Sequence, residues 1–194
     1  MKKRNRLFVG LMALALGAAL FIQGDVGAAS LTSRVELLVR GTLTNTLDLV
    51  ESTAPLASQR IQDFTNGVGA NQANVIWSDQ RTLTTGASED LDLIGGGLTD
   101  AFGVAVAPAK LRAVVITSAS ANTTNLTLFG DAASVLLLNT AATTVTLQPG
   151  GMYVYTAPAT AGVTVTATTA DIIQVVNAAG ASATYNIILL GTSS

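Results

Sequence analysis

The 194-residue chain contains no cysteine and no histidine. Those two absences exclude disulfides, thiolate redox chemistry, Ser-His and Cys-His catalytic pairs and ordinary zinc sites, each of which needs a base or ligand that is missing. Charge is scarce too: 11% of residues are charged, against about 25% in a typical globular chain. Aromatic residues make up 5%, with a single tryptophan. What is plentiful is apolar, at 49%, together with Thr, Ser, Asn and Gly as a neutral polar surface. This composition describes a packed structural module. No catalytic residue, no cofactor-binding residue and no metal ligand is expected.

The few charges are unevenly placed. Lys2, Lys3, Arg4 and Arg6 crowd the first six positions, and no basic residue lies beyond Arg112. From Ser30 onward six basic residues face eleven acidic ones, and from residue 113 to 194 the only charges are Asp131 and Asp171. Attachment to phosphates needs clustered Lys and Arg, so no nucleic-acid partner is expected. A segment that neutral has little repulsion against association, and it is expected to pack against copies of itself or another protein surface.

Residues 1–29 read as a signal peptide or membrane anchor, an N-terminal apolar helix. The basic start is followed by an apolar run of 16 residues, Leu7 to Ile22, and then by small residues. Val26/Ala28 or Gly27/Ala29 would suit a signal peptidase. The run falls short of the roughly 20 residues that comfortably span a bilayer. Membrane contact is therefore expected only through residues 1–29, if they stay uncleaved.

Residues 30–74 form a strand and loop segment. From Thr42 the chain alternates, with Leu43, Leu47 and Leu49 set between Thr, Asn and Asp, which signals a half-buried strand. A strand pair is expected there, then a polar stretch through Phe64, and the Gly- and Asn-rich stretch Asn66 to Asn74 reads as a loop. Residues 75–194 form a β-sandwich body of short strands punctuated by turns every 8 to 12 residues or so. Strands are expected at Val75–Trp77, Gln80–Leu83, Asp90–Leu93, Leu111–Thr117, Asn125–Phe129 and Ser134–Leu138. Further strands are expected at Thr143–Leu147, Met152–Thr156, Val163–Ala167, Ile172–Val176 and Thr184–Leu190. Val163, Val165 and Ala167 should face the core, with Thr164 and Thr166 outward. Gln148-Pro-Gly-Gly151 reads as a tight turn. The only helical stretch the pattern allows is around Leu98 to Val106. The expected fold class is thus all-β, a single β-sandwich or jelly-roll-like domain behind the apolar helix. The low aromatic content favours a thin core over a large ligand-binding barrel. The apolar excess favours a homo-oligomer, a trimer being one common solution for jelly rolls.

Each motif that could carry chemistry has a plainer competitor. Glu89-Asp-Leu-Asp92 offers oxygens to Ca²⁺, but Asp90 and Asp92 have the spacing of one solvated strand face, with Leu91 and Leu93 opposite. Paired carboxylates can hydrolyse glycosides, yet a sugar site would bring several aromatic platforms, and Trp77 reads better as a core or interface anchor. Gly67-Val-Gly69 and Gly95-Gly-Gly97 lack the Lys-Ser/Thr of a phosphate loop. Lys110, the only lysine after the leader, lies directly before a strand, where a solvent-facing lysine is ordinary. Asn122-Thr-Thr and Asn125-Leu-Thr match the glycosylation pattern, which arises readily by chance in a Thr-rich chain. The candidate interface residues are Trp77, then Asn71 and Asn74 in one loop, and Asn122 and Asn125 in another.

Ser30-Leu-Thr-Ser-Arg-Val35, Gly67-Val-Gly-Ala-Asn-Gln-Ala-Asn74, Trp77-Ser-Asp-Gln-Arg-Thr-Leu83, Ala87-Ser-Glu-Asp-Leu-Asp-Leu93 and Leu98-Thr-Asp-Ala-Phe-Gly103 form a combined string. Taken together, these stretches resemble a family of small structural proteins encoded in tailed-bacteriophage and prophage genomes. The resemblance continues through Gln148-Pro-Gly-Gly151, Pro158, Asp171 and Tyr185-Asn-Ile-Ile188. It implies a virion component of the capsid-decoration or minor structural type without enzymatic activity, and it carries over no functional residue. The basic and apolar leader departs from the family pattern, which begins near Ser30. That departure implies either a phage-type module adopted for export to the cell surface or a virion protein tethered to a membrane. The alternative class is an exported surface or filament subunit assembling by β-strand addition.

Overall fold

The computed structural model describes residues 30–46, 50–138 and 140–194. The signal peptide or anchor and the apolar helix expected at residues 1–29 fall outside the described residues. The described residues are all-β, with twelve strands and no helix among them. These are β1 (Ser33–Thr46), β2 (Glu51–Asn66), β3 (Gln72–Ala73), β4 (Val75–Leu83), β5 (Ser88–Asp92) and β6 (Lys110–Ser118). The remainder are β7 (Leu126–Phe129), β8 (Thr144–Leu147), β9 (Met152–Thr156), β10 (Val163–Thr164), β11 (Ile172–Asn177) and β12 (Ala183–Thr192).

Two sheets build the body. One runs β10-β6-β12-β4, with β9 also paired to β6, and the other runs β5-β11-β7-β8. Period-2 alternation turns one side of each inward. In β11 the buried positions are Ile173, Val175 and Asn177, and in β12 they include Tyr185, Ile187 and Leu189. These inner faces meet in one cluster that also takes in Trp77, Leu91, Val114, Ile116, Leu126 and Leu128. Burying each such large apolar side chain contributes about 1.5–3 kcal/mol. Asn177 sits among them because its amide donates to the carbonyls of Leu83, Thr84 and Ala181 while its oxygen accepts from Thr124. A buried polar group is tolerated when its hydrogen bonds are made.

Several local expectations change. The stretch Leu98 to Val106 is a looped turn, because the Asp100 carboxylate accepts from the backbone N–H of Phe102 and Val104 at 2.9 Å each and so competes with helix formation. Gly103 there has a φ of 79°. Ser134–Leu138 is no strand: Ser134 makes one bridge to Ile172, and Leu137 N–H then folds back to Val135 O at 2.7 Å. Val75–Trp77 and Gln80–Leu83 are one strand. Val163 and Val165 face the core and Thr164 and Thr166 face out, but Ala167 is exposed, since the chain turns at Thr168 with a φ of 66°. Asp90 and Asp92 point away from Leu91 and Leu93, which are buried. The Asp92 carboxylate is held below the usual carboxylate range by the backbone N–H groups of Gly95 and Ile94. The Gln148–Gly151 turn closes with Gly151 N–H on Gln148 O at 2.8 Å, and Gly150 takes the left-handed φ of 75°.

The remaining sheet is different in kind. β1 and β2 pair antiparallel over 14 residue pairs, from Ser33↔Phe64 to Thr46↔Glu51, without a register break. At the Phe64 end this ribbon touches the body, and short β3 extends it there. From Leu37 to Asn45 and from Glu51 to Ile61 every residue is exposed, so neither face of the ribbon is covered by the described residues. The polar stretch expected before Phe64 is therefore a strand, drawn into one by its partner and not by burial. Pro55 is accommodated because β2 is an edge strand there.

Candidate functional site

Two surfaces stand out once the alternation is followed. Directly opposed residues of an antiparallel pair share a face. Val35, Leu37, Val39 and Leu43 of β1 therefore share one ribbon face with Phe64, Arg60, Leu56 and Ala54 of β2. The other face carries Arg34, Glu36, Arg40, Glu51 and Asp63, including the Arg34–Asp63 ion pair at 2.6 Å. Five of the six charged residues of the two strands thus share one face, and only Arg60 lies on the apolar one.

The second surface is the outer side of the β6 sheet. Its outward positions run from Thr82, Thr184, Gln80, Asn186 and Thr117 to Ile188, Ile76, Val115, Val154 and Met152, and end at Leu190 and Ala113. None of these is charged. The polar end is tied together across strands by Thr82–Thr184 at 2.8 Å and Gln80–Asn186 at 2.9 Å. The far end, Leu190 and Ala113, is buried beneath Phe64, with Val35 and Leu31 packed alongside. The middle is open: Met152 is 61% exposed, and Ile76, Val154 and Ile188 are each about 40% exposed. By contrast, the outward side of β5 in the other sheet carries Asp90 and Asp92.

The ribbon root is fastened by the loop that the sequence marked between Asn66 and Asn74. Asn71 N–H donates to Pro158 O at 2.7 Å, and its side-chain oxygen accepts from Gln62. Asn74 exchanges hydrogen bonds with Ser193 and donates from its backbone to Gly191 O. Arg112 completes the fastening. Along β6 the pairing with β12 slips, Leu190 opposing Ala113 and Gly191 opposing Leu111, which leaves Arg112 as the extra residue of a β-bulge. A bulge re-aims side chains. Leu111 stays in the inner core while the Arg112 guanidinium turns toward the root loop. There Nη2 donates to Val68 O at 2.9 Å and Gly69 O at 3.1 Å, and Nη1 donates to Ala159 O. Arg112 is fully buried, with no carboxylate partner among the described residues, and burial holds its pKa below the usual arginine value.

The other expected interface residues have structural duties. Trp77 is buried in the core, with the Arg81 guanidinium 5.6 Å from its ring centre. Asn122 ties Ser118 to Thr184, donating to Thr184 O and accepting from Thr184 N–H at 2.8 Å each. Asn125 is exposed, and its carbonyl accepts from Ala178 N–H. The reading of the sequence missed the apolar ribbon face and the open strip of the β6 sheet. The signal for the first was present in the Val35, Leu37, Val39, Leu43 alternation.

A polar cluster that the sequence did not suggest joins the two body sheets. Arg81 of β4 contacts Glu89 of β5 and lies 3.1 Å from Asp79, while the Tyr185 hydroxyl of β12 donates to Glu89 at 2.9 Å. Burial and that hydrogen bond push the Tyr185 phenol well above its ordinary value. In the unfolded chain a tyrosine ionises near pH 10, whereas folded Tyr185 keeps its proton. Stability should therefore be undiminished below about pH 10 and fall above it, at up to about 1.4 kcal/mol per pH unit. Tyr185→Phe should cost about 2 kcal/mol at neutral pH and flatten that alkaline decline to what Tyr153, also raised by burial, contributes. Urea melts between about pH 8 and 11 test this, and an unchanged alkaline slope in the variant would refute it. Among the described residues no three carboxylates gather as a metal site would require. Compared with known protein families, curated proteins and solved structures, the chain matches none.

Proposed function

We propose that this protein is a non-enzymatic structural subunit, a phage-type virion component that self-associates and decorates or reinforces a capsid or tail surface. The observation that carries this reading is the ribbon, a long strand pair whose apolar side chains no other described residue covers. An isolated two-stranded hairpin is marginally stable in water, and a ribbon needs packing on one face to persist. Such a surface is made for a partner. The strand orders β4-β12-β6-β9 and β5-β11-β7-β8 support a jelly-roll reading of the body, in which the chain passes between two sheets, with β10 as a fifth strand on the first. Jelly rolls serve in viral capsids, lectins and cupins, and fold alone does not choose among them. Here the chain has no histidine to hold a transition metal, and its one tryptophan is buried, which favours the assembly role over ligand binding. The phage assignment itself rests on the sequence resemblance.

Light scattering and electron micrographs of the purified full-length chain test the reading. Discrete oligomers or a decorated capsid or tail surface are expected, and a monomer at every concentration overturns it. The open edges of β1 and β2 favour one further reading, an exported filament subunit that assembles by strand addition. Filaments in the same micrographs would select it.

A further inference from the structure

Resting on the self-association just proposed, we infer that the apolar face of the ribbon docks on the open strip of the β6 sheet of a second copy of the same chain. The contact already exists in miniature within one chain. At the ribbon root, Phe64 and Val35 lie on Leu190 and Ala113, the terminal residues of that sheet face. Beyond the root the two surfaces separate. The ribbon face continues through Leu37, Val39, Leu43 and Leu56, of which Leu43 is 75% and Leu56 60% exposed. The sheet face continues through Ile188, Val115 and Val154, with Met152 at its margin. Between them opens a groove of about 370 Å³, lined on one side by Ser33 to Leu37 of β1, Arg34 and Glu36 included, and on the other by the sheet residues.

The occupant that fits is another ribbon. The sheet strip carries no charge and the ribbon face carries only Arg60, so docking brings no acid and a single base to the contact, a base whose long stem can keep its head in water, as the charged ribbon face does. The size is also sufficient. Ten residues of β1 beyond the root reach about 33 Å at roughly 3.3 Å per residue. A ribbon about 10 Å wide then covers about 330 Å² of each surface, and a reciprocal exchange of two ribbons hides about 1,300 Å² in total, within the range of stable interfaces. Such a reciprocal contact closes on itself as a two-fold pair, and the same contact made head to tail closes larger rings.

The chain's lack of cysteine makes the test direct. Leu43→Glu and Leu56→Glu alter exposed positions that make no contact the fold needs, and both should raise the dissociation constant of the full-length oligomer at least tenfold by light scattering. Thr42→Glu, on the charged ribbon face, should leave it unchanged. When Leu56→Cys and Val154→Cys chains are mixed and oxidised, a mixed disulfide dimer should form. An oligomer that survives both glutamate substitutions, or crosslinks only between one Leu56→Cys ribbon and another, overturns this docking while leaving self-association standing. A wild-type chain that is monomeric throughout overturns both.

Discussion

Replacing Arg112 with methionine should cost about 3 kcal/mol of unfolding free energy, since it removes at once the donor of three part-buried hydrogen bonds to backbone carbonyls. The expected loss is moderated because the native guanidinium is itself buried without a counter-ion, a cost the methionine variant escapes. Val68, Gly69 and Ala159 would lose the donor that holds the root loop to the β9–β10 connection. The change should therefore be local as well as global. In hydrogen exchange, the Asn71 amide, bonded to Pro158 O, should lose protection before the amides of β7 and β11 do. Arg112→Lys should recover only part of the loss, because one ammonium cannot span the positions that a planar fork reaches. Equal protection of root and core amides in the methionine variant would show that Arg112 does not fasten the ribbon.

Across the bulge from Arg112, Gly191→Val should cost about 3 kcal/mol, the upper end of typical overpacking. A β-carbon at Gly191 would stand 2.6 Å from Lys110 O and 2.8 Å from Pro108 Cβ. Both belong to backbone or a rigid ring, so neither can swing aside as a flexible side-chain tip would. Relief requires β12 to move away from β6, which breaks the pairing on which the inner core rests. Gly41→Val is the matched control. Nothing lies within 4 Å of a β-carbon at Gly41, and valine suits a strand, so that variant should be neutral or slightly stabilising. Thermal melts of the two variants side by side give the comparison. Equal midpoints would sink the argument from close approach.

Much of the body was legible because its strands are one-sided. Val163-Thr-Val-Thr166 alternates apolar and polar residues, its two valines buried and both threonines exposed, and that period needs no partner to be read. The segments that misled were decided by contacts of another kind. Leu98 to Val106 has enough apolar residues for a helical turn, but the carboxylate of Asp100 reaches its neighbours' N–H groups first. Ser134 to Leu138 has the composition of a strand, but it meets β11 only at Ile172 and the pairing goes no further. Glu51 to Phe64 looks like a polar linker by itself and becomes strand only opposite β1. The fastening by Arg112 had no signature at all, since a register slip between β6 and β12 is a property of the pair.

The sequence by itself determined that this protein lacks cysteine, histidine and clustered basic residues, and that its strands are short and alternate with turns. Those are properties of residue chemistry and period, and they follow from composition and order alone. The tertiary structure decided where the surplus apolar surface goes. The nine strands β4 to β12 bury most of their inward side chains between two sheets, but the 14 residue pairs of the β1–β2 ribbon have no sheet among the described residues to lie against. Which faces are left uncovered depends on which strands become neighbours. For that reason the apolar ribbon and the uncharged strip beside it emerge only when the chain is folded.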